Sequence, residues 1–103
     1  MESRKKHTSF QLAVFAKARR IPMGRVSTYA ALARALGKPR AARAVGNALN
    51  KSPGMPDCPC HRVVKSNGEV GGFAAGTKKK IKLLRKEGIG VLKGKVDLKI
   101  FSF

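Results

Sequence analysis

The chain has 103 residues, 43% of them hydrophobic, with 23 Lys and Arg against five Asp and Glu, for a formal charge of +18. That length supports one modest core and excludes two independent domains, and no apolar stretch approaches the ~20 residues that cross a bilayer. The charge excess costs the folded state self-repulsion that an anionic partner relieves, nucleic acid foremost because neutralised phosphates release counterions, although a solvated basic surface has the same composition.

Residues 1–8 read as a basic arm, since Met1-Glu2-Ser3-Arg4-Lys5-Lys6 is not followed by the uncharged apolar run of a secretion signal. Thr8 or Ser9 can cap a first helix to about Arg20, with Leu12, Phe15 and Ala16 at helical spacing, and Ile21-Pro22 stops it. Ser27 or Thr28 caps a second helix through Leu36, in which Tyr29, Leu32, Ala33 and Leu36 share a face, with Gly37 as its C-terminal stop. Pro39 is expected to open a third helix to Asn50, because proline suits a first turn. Two helices so closely joined form a helix-turn-helix candidate. Along the third, Arg40, Arg43, Asn47 and Lys51 make a polar stripe opposite Ala42, Val45 and Leu49, and the flanking Ala41, Ala44, Gly46 and Ala48 let its backbone approach a narrow groove.

Three prolines and a glycine make Ser52–Pro59 a loop. Val63-Val64 and Val70 bracket Ser66-Asn67-Gly68, which predicts a short hairpin with an Asn-Gly turn. Gly71–Gly76 is a small-residue loop, and Thr77 is expected to cap a fourth helix to about Glu87 with Ile81 and Leu84 buried, ended by Gly88. Lys78-Lys79-Lys80 and Lys82 on that helix read as a solvated or phosphate-facing patch. Residues 9–88 thus form the predicted domain and 89–103 a tail, where Val96, Leu98 and Ile100 alternate with Asp97 and Lys99 as a weak strand signal. The predicted class is mainly α with a small β element, a winged helix-turn-helix-like DNA-binding domain.

Cys58 and Cys60, the only cysteines, are two apart, which suits a free thiol in a reducing compartment better than a disulfide framework. With His61 and the distant His7 they could ligate a metal, but the spacing of zinc ribbons and fingers is absent, so no metal is expected. The expected setting is cytoplasmic and nucleoid-associated, without a membrane.

Pro59-Cys60-His61-Arg62-Val63-Val64 resembles the active-site signature of the O6-alkylguanine-DNA alkyltransferases, and the likeness runs in order from about Phe10 to Glu87. Gly24-Arg25-Val26-Ser27-Thr28-Tyr29, Ala41-Ala42-Arg43-Ala44-Val45-Gly46 and Gly71-Gly72-Phe73 are similar to the family's tyrosine segment, recognition helix and active-site loop. The resemblance implies single-turnover transfer of an alkyl group from O6-alkylguanine in double-stranded DNA to Cys60, without cofactor, by a monomer. It implies that the third helix enters the minor groove with Arg43 filling the space of a flipped base. Arg40, Asn47 and Lys51 would contact DNA beside it. Tyr29, Val63, Phe73 and Ala74 would surround the extruded base, the last three through backbone groups. His61, oriented by Glu87, would draw the proton from Cys60 through water, because a free thiol with pKa about 8.5 is mostly protonated at neutral pH. Ser52 and Arg62 would support the site.

Taken singly, each of these residues has a plainer reading: Cys60 a buried thiol, Tyr29 a core aromatic, Glu87 a surface partner of Lys80 or Lys86. Their joint order is what the resemblance explains. The chain departs from the family at Ser52, where asparagine is usual and serine is shorter, and at Phe73 and Ala74, where hydroxyls are frequent. Its compact size and the closing Lys95-Val96-Asp97-Leu98-Lys99 are similar to the alkyltransferase-like proteins, which bind alkylated DNA without repairing it and usually replace the cysteine. A non-catalytic sensor recruiting separate repair factors is therefore the first alternative, and a general helix-turn-helix DNA-binding protein the second.

Overall fold

The computed structural model describes residues 7–52, 58–73 and 76–103. Helix α1, Ser9–Ala18, starts where Thr8 and Gln11 satisfy each other's backbone N–H groups in a capping box, at 3.1 and 2.9 Å. Strand β1, Ser27–Thr28, runs straight into α2, Tyr29–Ala35, whose first turn is capped by Thr28 Oγ1 accepting from Ala31 N at 3.0 Å. This fixes Tyr29 as the first helical residue after a strand, so its side chain leaves the chain at a rigid corner.

Helix α3, Ala42–Leu49, begins three residues later than Pro39 predicts. The proline seeds a separate turn instead, closed by Ala41 N donating to Lys38 O at 2.9 Å, and Ala41 sits at φ −97°, ψ 20°, outside the helical basin. Helices α1, α2 and α3 close around one apolar cluster in which Val14, Ala18, Ala33 and Val45 are fully buried.

A single turn of 3-10 helix, Cys60–Arg62, leads into β2, Val63–Val64, which pairs in parallel with β1, Ser27 opposite Val63. The predicted hairpin from Val63-Val64 to Val70 is thereby corrected: β2 takes β1 as partner, and the Asn-Gly turn is closed locally by Lys65 N to Glu69 O at 2.8 Å and Gly68 N to Lys65 O at 2.9 Å. Successive strand residues face opposite ways. Val63 joins the helical cluster, while Val64 joins a second one with Val26, Val70, Leu84, Ile89, Val91 and Val96. The 3-10 turn therefore sits at the seam between two cores, anchored by the strand that follows it.

Helix α4, Thr77–Lys86, has Gly76 as its N-cap, without a side-chain cap bond, where Thr77 was expected. Beyond it, β3 (Val91–Leu92) and β4 (Lys95–Val96) form an antiparallel wing around Lys93 and Gly94, both at positive φ as a tight hairpin turn requires. The strand expected over Val96–Ile100 ends early. Asp97 caps Lys99 N at 2.9 Å and starts α5, Leu98–Phe101, which sets Leu98 and Phe101 one turn apart against the second cluster. The described residues form a mainly helical winged helix-turn-helix with two small sheets.

The wing braces the 65–68 turn through Val96 N to Gly68 O at 2.8 Å. Gly68 has φ +92°, and a Cβ there would lie 2.6 Å from Val96 O. Gly68→Ala is expected to lower stability by about 2 kcal/mol or more, combining left-handed strain with a backbone clash. A urea unfolding midpoint equal to that of the unsubstituted protein would refute this.

Candidate active site and nucleic-acid interface

Cys60 is half-buried at the start of the 3-10 turn, and its Sγ accepts a hydrogen bond from Ser52 Oγ at 3.3 Å. Serine here contacts the sulfur itself, so the shorter side chain does not leave Cys60 unsupported. The next residue, His61, turns into the protein and is 1% exposed. Its Nε2 lies 2.9 Å from Glu87 Oε2, and Arg62 completes the cluster by donating Nε to Glu87 Oε1 at 2.8 Å and Nη2 to Oε2 at 2.7 Å. A further bond from Arg62 Nη1 to Ile21 O, 2.9 Å, ties this carboxylate cluster to the end of the first helical segment. Glu87 thus faces inward, not toward Lys80 or Lys86.

The electrostatics decide the protonation pattern. Burial acts to raise the Glu87 carboxyl, but hydrogen bonds and charge from Arg62 and His61 outweigh it and hold the group below its ordinary value. Burial lowers the His61 imidazole despite the opposing pull of Glu87. A neutral ring beside an ionised carboxylate must donate Nε2–H to it. The contact is then a hydrogen bond instead of an ion pair, and Nδ1 keeps its lone pair. That Nδ1 atom is buried and has no protein partner, so it is available to a proton from outside the cluster.

Lys80 departs from the reading of Lys78-Lys79-Lys80 and Lys82 as a solvated or phosphate-facing patch. It is 0% exposed, and its Nζ donates to Tyr29 Oη and to Gly72 O, both at 3.2 Å. Burial brings its ammonium down to about 8, with the Cys60 charge acting the other way. Burial, then the Cys60 charge, raises the Tyr29 hydroxyl. Lys80 is the functional candidate that motif reading overlooked. The available signal was its place four residues before the buried Leu84, on the same face of α4.

A groove of about 580 Å³ opens between α3 and the turn after β2, lined by Tyr29, Arg43, Asn47, Asn50 and Gly72 among others. The Tyr29 ring packs so closely that a Cβ at Gly71 would lie 3.2 Å from its hydroxyl. Of the expected interface residues, Arg43 and Asn47 line this groove. Arg40 and Lys51 do not, because α3 begins at Ala42 and ends at Leu49, which leaves both in flanking turns. Val63 is fully buried in the helical core. Phe73 is half-buried, and Ala74 lies outside the described residues. Helix α3 carries one cation, Arg43, whereas α4 carries six, five of them exposed. The charge excess therefore belongs to the molecule at large more than to the helix-turn-helix.

Among the described residues no group of three or more His, Cys, Asp or Glu side chains could hold a metal ion, and no helix is long and apolar enough to cross a membrane.

The family model for the DNA binding domain of 6-O-methylguanine DNA methyltransferase matches residues 9–89. A methylated-DNA–protein-cysteine methyltransferase of Shigella flexneri is 48% identical over 81 residues, 79% of this chain and 47% of that protein. Among solved structures, Atl1 of S. pombe, in complex with damaged DNA containing O6-carboxymethylguanine, superposes with a TM-score of 0.83 at 31% identity, covering 91% of this chain and 94% of that one. Mycobacterium tuberculosis OGT in complex with DNA gives 0.75 at 38% identity, covering 80% and 50%. The chain spans 28% of one curated relative and about half of others it matches.

Proposed function

We propose that this chain, which belongs to the 6-O-methylguanine DNA methyltransferase DNA-binding-domain family, binds duplex DNA containing O6-alkylguanine and moves the alkyl group irreversibly onto Cys60. The observation that carries this reading is the linked set His61, Arg62 and Glu87, the first two directly after Cys60 in the same turn, with His61 Nδ1 free to receive a proton.

The chemistry follows from these atoms. Arg43 and Asn47 in the groove beside Tyr29 support minor-groove binding and extrusion of the damaged base. The thiol proton of Cys60 passes through a solvent molecule to His61 Nδ1, while Glu87 stabilises the imidazolium that forms. The thiolate attacks the alkyl carbon, an S–C bond forms as the C–O6 bond breaks, and the departing guanine takes up a proton. Tyr29 Oη is suited to donate to the base, and Lys80, with a pKa near 8, is suited to replenish the tyrosine. The thioether is not readily cleaved, so each chain reacts once.

One observation favours a second reading, lesion binding without transfer: the match to Atl1 spans nearly the whole of both chains. The two separate in a single titration. With a duplex containing O6-methylguanine, repair restores guanine up to one equivalent per chain and then stops. A sensor binds the lesion tightly and restores none, and equal binding to undamaged DNA would contradict both.

A further inference from the structure

Helix α4 carries a second basic surface, turned away from the groove. Lys78, Lys79, Lys82, Arg85 and Lys86 are all exposed, and four of them, Lys78, Lys82, Arg85 and Lys86, fall at i, i+4, i+7 and i+8, one face of a helix. Lys80 points the opposite way. Two residues past Lys78 is about 200° around the axis at 3.6 residues per turn, and its Nζ ends on Tyr29 Oη and Gly72 O. Tyr29 and Gly72 line the groove, and none of the five exposed cations does. The four in register instead share an open hollow of about 540 Å³ with Ile81. Arg85 is preset there, because its Nη2 donates to Val91 O on β3 at 2.9 Å.

Left bare, this face is unfavourable. Lys78 repels Lys82, and Lys82 repels Lys86, at i, i+4, while Lys78 and Lys79 put positive charge into a first turn whose dipole is already positive and which holds no acidic residue. Among the described residues none of the five forms an ion pair, and Glu87, which closes the helix, is turned inward to His61 and Arg62. An anion offsets all of these costs. Composition narrows its chemistry: protein interfaces are depleted in lysine and enriched in aromatic residues, whereas here four of the five cations are lysine and the one apolar side chain lining the hollow, Ile81, is half-buried. Phosphates suit it better. The row from Lys78 to Lys86 is about 12 Å long at 1.5 Å per residue, and one DNA strand presents about three phosphates over that length. We propose that this face of α4 binds the phosphate backbone of a second duplex while the groove beside α3 holds the first, so that one chain bridges two DNA segments. The inference goes beyond lesion repair, since it requires a duplex in the groove but neither base flipping nor transfer.

The test uses two undamaged duplexes, one carrying a donor dye and the other an acceptor, mixed with the protein at low salt, and reads energy transfer between them. The unsubstituted protein is expected to bring the duplexes together. The combined variant Lys78→Gln, Lys82→Gln, Lys86→Gln is expected to weaken bridging about tenfold or more and to lower the slope of log affinity for the second duplex against log salt by about 2.7, at about 0.9 per lost phosphate contact. A control, Arg20→Gln, Lys95→Gln, Lys99→Gln, removes the same charge from other faces and is expected to keep bridging. All six positions are exposed, so the substitutions leave the fold intact. No energy transfer with the unsubstituted protein, undiminished transfer in the α4 variant, or an equal loss in the control overturns the proposal. Capture of labelled polyglutamate without a second duplex overturns it in favour of an acidic protein partner. Bridging by a chain that moves no methyl group from a lesion duplex would defeat the repair function and leave this surface standing, and methyl transfer without bridging would do the reverse.

Discussion

Glu87→Gln is expected to cost about 3 kcal/mol of stability and to slow alkyl transfer at least a hundredfold. The stability loss follows from what the carboxylate neutralises. The Arg62 side chain is only 9% exposed and Glu87 11%, so the substitution leaves a nearly buried guanidinium without its counter-charge. The rate loss follows from the imidazole. Without an anionic acceptor at Nε2, the ring no longer holds its proton on that nitrogen, and the imidazolium formed on accepting the Cys60 proton is uncompensated. The pH dependence has a definite sign. The folded pKa of Glu87 lies below its ordinary value, so its contribution is complete above the unfolded pKa and is lost as pH falls through the folded one. Chemical denaturation from pH 7 down to pH 3 should show a steeper loss in the unsubstituted protein than in Glu87→Gln. Equal slopes and an unchanged transfer rate would contradict the role assigned to this carboxylate.

Lys80→Met is expected to act in opposite directions on stability and on chemistry. Bringing an ammonium from 10.5 to about 8 disfavours its charged form in the folded state, by about 3 kcal/mol at one pKa unit per 1.36 kcal/mol. For a base with a lowered folded pKa, the unfolded chain holds the extra proton between the two values. Stability contributed by this group therefore rises with pH from about 8 to 10.5, and the penalty is full below 8. Methionine fills similar volume without the charge and should stabilise the protein at pH 7 by about 1 to 3 kcal/mol, lost bonds to Tyr29 and Gly72 being the offset. It should also flatten the rise above pH 8. Transfer from O6-methylguanine should fall tenfold or more, because Tyr29 loses the cation that can resupply its proton. Lower stability with undiminished transfer would show that Lys80 is structural only.

Most of the helical framework was legible because local chemistry governs it. Thr8 with Gln11, and Thr28 before an apolar face, announce helix starts through caps that act within one turn. Pro59–Val64 and Glu87 could be assigned to one cluster only through the family resemblance, since 26 residues separate His61 from its carboxylate. Misreadings arose where two local rules competed. Pro39 suits both a first helical turn and a tight turn, and the Lys38–Ala41 bond selected the latter, displacing Arg40 from the groove. Asp97 capped a helix within an alternating pattern. The partner of β2 is 36 residues upstream, a pairing that no short-range pattern encodes. Lys80 was hidden by its company: in a run of lysines, only the register with Leu84 distinguishes the one that points inward.

The central claim is that Cys60, deprotonated through His61, becomes the alkyl acceptor. The most direct measurement is peptide mapping after reaction with a duplex carrying isotopically labelled O6-methylguanine. The predicted result is one labelled methyl group per chain, on the sulfur of Cys60, with Cys58 unmodified. Full binding of the lesion with every cysteine unlabelled, or label on Cys58, would contradict it.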